Sequence, residues 1–182
     1  HILMHEVSHG LGPGQITLGD GTETTVSDEL KSLYPVVEEC KADILGMYNL
    51  LYLMDKGVFE KDVNSAYATY LGGMFRSIRF GIGEAHGGGI AIQFNYLMDK
   101  DAFYKGDDGK LHYDADKMEE SIEDLSHKVL MIQAEGDYEA AKELVDKYSK
   151  MTPVMEEYIG KLSDLPVDID PEFPAVEKLG IK

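Results

Sequence analysis

The chain has a single cysteine, Cys40, so it can form no internal disulfide and no cysteine-rich zinc knuckle. One thiol fits a reducing compartment, and the cytoplasm is the favoured location. There is no run of about 18 apolar residues, which excludes a membrane-spanning helix and predicts no membrane partner. The opening HILMHEVSH lacks the basic start, apolar stretch and small-residue cleavage site of a signal peptide. A natural chain is not expected to begin at His1, so a processed or truncated product is expected, with upstream sequence missing. Basic residues are few: Lys and Arg number 17 against 34 Asp and Glu, for a net charge of −17. Nucleic-acid binding relies on Lys and Arg neutralising phosphates, and this balance argues against it. Much of the acidity lies beyond residue 99, as at Glu119, Glu120, Glu123 and Asp124, and reads as a solvated helix face. Internal repeats and low-complexity stretches are absent too.

What is present is ordinary for a globular chain: 43% hydrophobic and 28% charged residues over 182 positions. That length suffices for one core, or for one lobe of a larger protein. The pattern is mostly α. A helix ends at His9, where Gly10 stops it, and residues 10–34 form a loop rich in Gly and Thr. Its GLGPG run is no phosphate loop, because it lacks the Lys-Ser/Thr ending and Pro13 removes an amide donor. A second helix begins near Pro35 and runs to Asp55, with Val36, Cys40, Ile44, Met47 and Leu51 at helical spacing. Further helices are expected over 63–79, 84–98, 115–135 and 137–150, with a short one from Pro153. A short β-hairpin should turn at Asp108-Gly109 within 102–113. The prolines of the tail, 166–182, favour an extended run along the surface.

HEVSH sets His5 and His9 four apart, hence one above the other on a helix face. Two imidazoles so placed can reach one tetrahedral zinc, with Glu6 beside the metal's open position as general base. The competing reading is two unrelated surface histidines. A catalytic zinc takes three protein ligands. The segment EECKAD, about thirty residues on, offers Glu39 and Asp43 on one face of the next helix. One carboxylate can bind metal while the other accepts the spare N–H of a ligand histidine. The alternative is that early glutamates merely favour the helix dipole. His1 lies four residues before His5, but a chain end is a poor ligand. His112 and His127 lack a metal-spaced partner, Cys40 lacks a base, and Tyr67 and Tyr70 are expected in the core.

HEVSHGLGPG followed by VEECKADILGMYNL resembles the dipeptidyl peptidase III family of zinc exopeptidases. It is most similar to the branch with a five-residue HExxH motif, some of whose members are joined to Nudix hydrolase domains. Better-known members have a six-residue HExxGH motif and an EECRAE/D motif, so this chain departs by one residue in the first and at Lys41 in the second. The resemblance implies one zinc ion held by His5, His9 and Glu39, Glu6 as the base, and Glu38 and Asp43 behind the ligands. It also implies that His86, in the EAH stretch, stabilises the transition state; the bland reading is a helix-start histidine. With Gly87, Gly88 and Gly89 beside it, His86 has little neighbouring bulk and is expected to be able to approach a bound substrate. Ile90 stands where the better-known members carry an arginine.

The expected protein is a helical zinc-binding lobe of a two-lobed metallopeptidase. Residues 1–182 make the single lobe, with the zinc site within 1–90 and a helical remainder over 91–165. The implied activity is release of dipeptides from peptide N-termini, with a missing N-terminal lobe as partner and peptides as substrate. The isolated fragment is expected to be inactive. The rivals are a metal-binding interaction lobe without peptidase activity and a purely structural helical module.

Overall fold

Helix α3 (Tyr34–Asp55) is the axis on which the functional residues are arranged, and it is buried on all sides from Cys40 to Met47. Three helices surround it: α1 (Ile2–His9), α5 (Ala85–Asp99) and α6 (Ala115–Glu135). Outside these lie α4 (Val63–Ile78) and α7 (Tyr138–Tyr148), both packed on α5, and α8 (Pro153–Gly160), which packs on α4. The computed structural model describes residues 1–166 together with positions 178 and 180. The tail expected to run extended over 166–182 therefore lies, from 167 on, outside the described residues apart from those two positions. The mostly α class expected from the sequence holds.

Local chemistry accounts for the helix boundaries. Asp62, Asp114, Asp137 and Thr152 each accept a backbone N–H at the start of α4, α6, α7 and α8. Caps of this kind are worth about 0.5–2 kcal/mol apiece. Gly136 ends α6 with φ 63°, a left-handed conformation that glycine adopts without strain. The hairpin at 102–113 pairs β3 (Phe103–Lys105) with β4 (Leu111–Tyr113), in the register Tyr104 to His112. His112 is spent on that hairpin, its Nε2 2.9 Å from Asp108, and His127 is exposed. Cys40 and Tyr67 are core residues, as expected; burial pushes the Cys40 thiol far up, so it is no nucleophile.

The segment 10–34 corrects the sequence reading. Instead of a plain loop it holds a second hairpin, β1 (Gln15–Thr17) with β2 (Glu23–Thr25), and a short helix α2 (Val26–Leu30). The turn signal LGDG closes this hairpin. Thr25 caps α2 by accepting from the Asp28 N–H, and Val26 and Leu30 are buried. Two strands of three residues carry too little alternation to be legible on their own.

Glycines set the spacing around α3. A Cβ on Gly46 would lie 2.9 Å from the backbone nitrogen of His5, and one on Gly89 would lie 2.8 Å from that of Cys40. Helices α1 and α5 thus touch α3 backbone to backbone. His86 itself is exposed and borders open space, while Gly87–Gly89 behind it are buried: Gly89 rests on the α3 backbone, Gly88 on Val36 and Ser149, and Gly87 on the backbone of Gly81. Gly46→Ala should cost about 1–3 kcal/mol, because backbone cannot swing aside as a side chain does. Denaturant unfolding checks this, and unchanged stability would mean that α1 does not rest on Gly46.

Candidate metal centre

The crossing at Gly46 lays the His5–His9 face of α1 across the carboxylates of α3. His5 Nδ1 lies 2.6 Å from Asp43 Oδ1, and His9 Nδ1 lies 3.0 Å from Glu38 Oε1. Each carboxylate therefore accepts one ring N–H, and each ring turns its Nε2 toward the other. The two Nε2 atoms are 3.1 Å apart. With both Nδ1 atoms protonated, two bare lone pairs face each other, which is unfavourable unless a metal ion, or a proton on one Nε2, joins them. Two imidazoles on a tetrahedral zinc have nitrogens about 3.3 Å apart, given bond lengths of roughly 2.0–2.1 Å. The spacing of these two nitrogens fits the metal. Glu39 Oε2 lies 3.6 Å from His5 Nε2.

Asp43 is the main cause of a raised His5 pKa, through their hydrogen bond. Burial opposes it, and the charges of Asp43, Glu39 and Glu6 add to it. Around Glu38, burial disfavours the charge, but bonds from Lys41, His9 and Gln133 outweigh burial and hold its carboxyl below the usual range. Lys41 is itself buried. Its ammonium lies 2.8 Å from Glu38 Oε1 and donates to the carbonyl of Leu11 at 2.7 Å, which ties down the end of α1.

His86 begins α5 on the exposed side, its Nδ1 3.1 Å from the same Glu39 oxygen that faces His5. Among the described residues, His5, Glu39 and His86 are the set of three whose donor atoms all lie within 4.8 Å of one another, and they are a rival to the pairing of His5 with His9. The partners of the rings distinguish the two sets. A ligand histidine almost always anchors its other nitrogen on a carboxylate, carbonyl or water. His9 does so on Glu38, whereas the other nitrogen of His86 meets only the Ser77 hydroxyl, at 3.5 Å. His86 therefore lacks the carboxylate anchor that His5 and His9 have.

Glu6 sits on the exposed face of α1 and lines a cleft of about 380 Å³ with His5, Tyr70, Arg76, His86 and Ile90. Ile90 is buried, and Arg76 supplies the cleft's cation. His1 reaches the carbonyl of Asp43 at 3.2 Å and lies at the cleft edge. The sequence reading missed Lys41, Gln93 and Gln133 as partners of the site. For Lys41 and Gln93 the one available signal is a polar residue within an apolar run of helix, and Gln133, in an acidic helix, has none. No described helix is long and apolar enough to cross a membrane.

No protein-family model matches the chain. Nudix hydrolase 3 of Arabidopsis thaliana is 45% identical over 182 residues, which is 98% of this chain and 24% of that protein. The structure of dipeptidyl peptidase III from Caldithrix abyssi superposes with a TM-score of 0.92 at 47% identity, covering 99% of this chain and 34% of that one. Dipeptidyl-peptidase III from Corallococcus sp. strain EGB gives 0.90 at 43% identity, covering 98% and 33%. The chain thus spans only a quarter to a third of the relatives it matches. Over its own length, in sequence and in fold, it belongs to the dipeptidyl peptidase III family.

Proposed function

We propose that this chain is the zinc-holding lobe of a peptidase that releases dipeptides from peptide N-termini. The observation that carries the reading is the convergence of two carboxylate-anchored imidazoles beside Glu39, with Glu6 in the adjoining cleft. In this reading His5, His9 and Glu39 hold one zinc ion. Bound zinc would polarise the scissile carbonyl and make water more acidic at neutral pH. Glu6 takes a proton from the attacking water and passes it to the leaving amine. His86 donates a hydrogen bond toward the oxyanion that develops on the substrate. Asp43 and Glu38 fix the tautomer and orientation of the two imidazoles, which keeps their Nε2 atoms available.

The whole lobe, residues 1–182, would work with a further, N-terminal lobe of the same protein. Support comes from the share of each relative that the chain spans, and from Ile2, Leu3 and Val7, which face outward from α1 beside the site. The groups that read the substrate's free amine belong to that other lobe, so this segment by itself should not hydrolyse peptides. The strongly acidic surface favours no nucleic-acid partner.

The test uses the longer polypeptide that carries this segment. Dipeptide release from an unblocked peptide should disappear after dialysis against a chelator and return with one equivalent of zinc. Hydrolysis that survives complete metal removal would contradict the reading. Stoichiometric zinc without hydrolysis of any peptide would favour a metal-binding interaction lobe instead.

A further inference from the structure

Each carboxylate that anchors a histidine has a second oxygen, and both second oxygens meet the same kind of partner. Gln93 Nε2 donates to Asp43 Oδ2 at 3.3 Å, and Gln133 Nε2 donates to Glu38 Oε2 at 2.8 Å. Both glutamines are fully buried. One comes from α5 and the other from α6, so the two amides approach α3 from different neighbouring helices. His5–Asp43–Gln93 and His9–Glu38–Gln133 are therefore two parallel chains that start at the metal centre and end in the core. The first runs one step further: Gln93 Oε1 accepts from the Tyr70 hydroxyl at 2.5 Å, and Tyr70 lines the cleft.

An amide N–H can only donate, so it fixes one carboxylate oxygen as an acceptor and leaves the other free to accept from the ring. It does this without adding charge. A second cation on Glu38, beside Lys41, would compete with His9 for the carboxylate. The arrangement also has a cost that packing does not explain. Gln133 Oε1 is buried and accepts from no group among the described residues. An orphaned buried acceptor costs about 1–3 kcal/mol, which methionine of similar volume would avoid. Gln93 uses all of its polar atoms: its Nε2 also donates to the Gly89 carbonyl at 3.1 Å.

We propose that Gln93 and Gln133 are a matched pair of positioning residues that hold His5 and His9, through Asp43 and Glu38, in the orientation that binds metal. The inference rests on the reading of those two histidines as zinc ligands. It assigns a function to residues 50 and 95 positions away in sequence from the carboxylates they orient.

The experiment compares the 182-residue chain with Gln93→Met, Gln133→Met and the double variant. Zinc dissociation constants are measured by competition with a chelating dye, and nitrogen-15 spectra of the histidines are recorded without metal. Each single variant should weaken zinc roughly 10- to 100-fold, the range expected when the partners behind a ligand are lost. The spectra should show the site-specific part: Gln93→Met shifts His5 and spares His9, and Gln133→Met does the reverse. A purely structural role would lower the thermal midpoint while leaving zinc affinity and both imidazole signals alone, and that result overturns the proposal. If a methionine variant fails to fold, Gln93→Asn or Gln133→Asn keeps an amide but withdraws it by one methylene, with the same expectations. A parent chain that binds no zinc at all would sink the ligand reading and this inference together. Zinc binding by the parent that is unaltered in the variants would sink the inference alone.

Discussion

Glu6→Gln, made in the longer polypeptide, should leave zinc in place while peptide hydrolysis falls by at least ~10²–10⁴. Glutamine keeps the length and shape of the side chain but cannot take up a proton. Glu6 follows His5 directly on α1 and both border the cleft, but Glu6 is exposed there while the His5 ring is buried and anchored on Asp43. In the proposed mechanism the two neighbours therefore separate metal binding from proton transfer, and a change at Glu6 leaves zinc in place. Steady-state hydrolysis and metal content, measured on the same preparation, test both halves. Parent-level turnover in Glu6→Gln would remove it as the general base.

Glu39→Ala should abolish stoichiometric zinc binding, while His86→Ala should keep it. Two imidazoles alone leave a zinc site under-coordinated, and Glu39 is the carboxylate nearest the open side of His5. His86 contacts the same Glu39 oxygen, so the geometry offers it as an alternative third ligand to His9. The anchoring of His9 on Glu38 favours His9 in the proposed ligand set, since a ring held at one nitrogen presents the other at a fixed position. Metal analysis after reconstitution and gel filtration is the readout. Loss of zinc from His86→Ala together with retention in His9→Ala would exchange the two residues in the ligand set.

The parts of this centre that depend on helical spacing were legible in the sequence. HEVSH and EECKAD each fix which side chains share a face, and the long helices came within two residues of their expected ends. Val36 and Leu51, expected on the buried stripe of α3, are only half-buried; at the helix start Val37 takes the inner position instead of Val36. What spacing could not supply was the identity of neighbours brought in by tertiary packing. Gln93 lies in an apolar helix and Gln133 in an acidic one, and nothing local in either marks it as the partner of a carboxylate on α3. Nor does spacing show that Gly89 lets α5 approach α3 backbone to backbone, which brings Gln93 within reach of Asp43. The hairpin at 15–25 was missed because one buried residue, Ile16, is too little pattern for a strand.

The central claim is that one zinc ion is held by two imidazoles from α1 and one carboxylate from α3. Zinc-edge X-ray absorption on the reconstituted 182-residue chain tests it most directly, because multiple scattering from imidazole rings counts histidine ligands. The account predicts one zinc per chain with two imidazole nitrogens at about 2.0–2.1 Å and oxygen making up the rest of the shell. The imidazole count should stay at two in His86→Ala, whereas His9→Ala, left with two protein ligands, should lose stoichiometric zinc. A shell with three imidazoles, or one unaffected by the loss of His9, would contradict it.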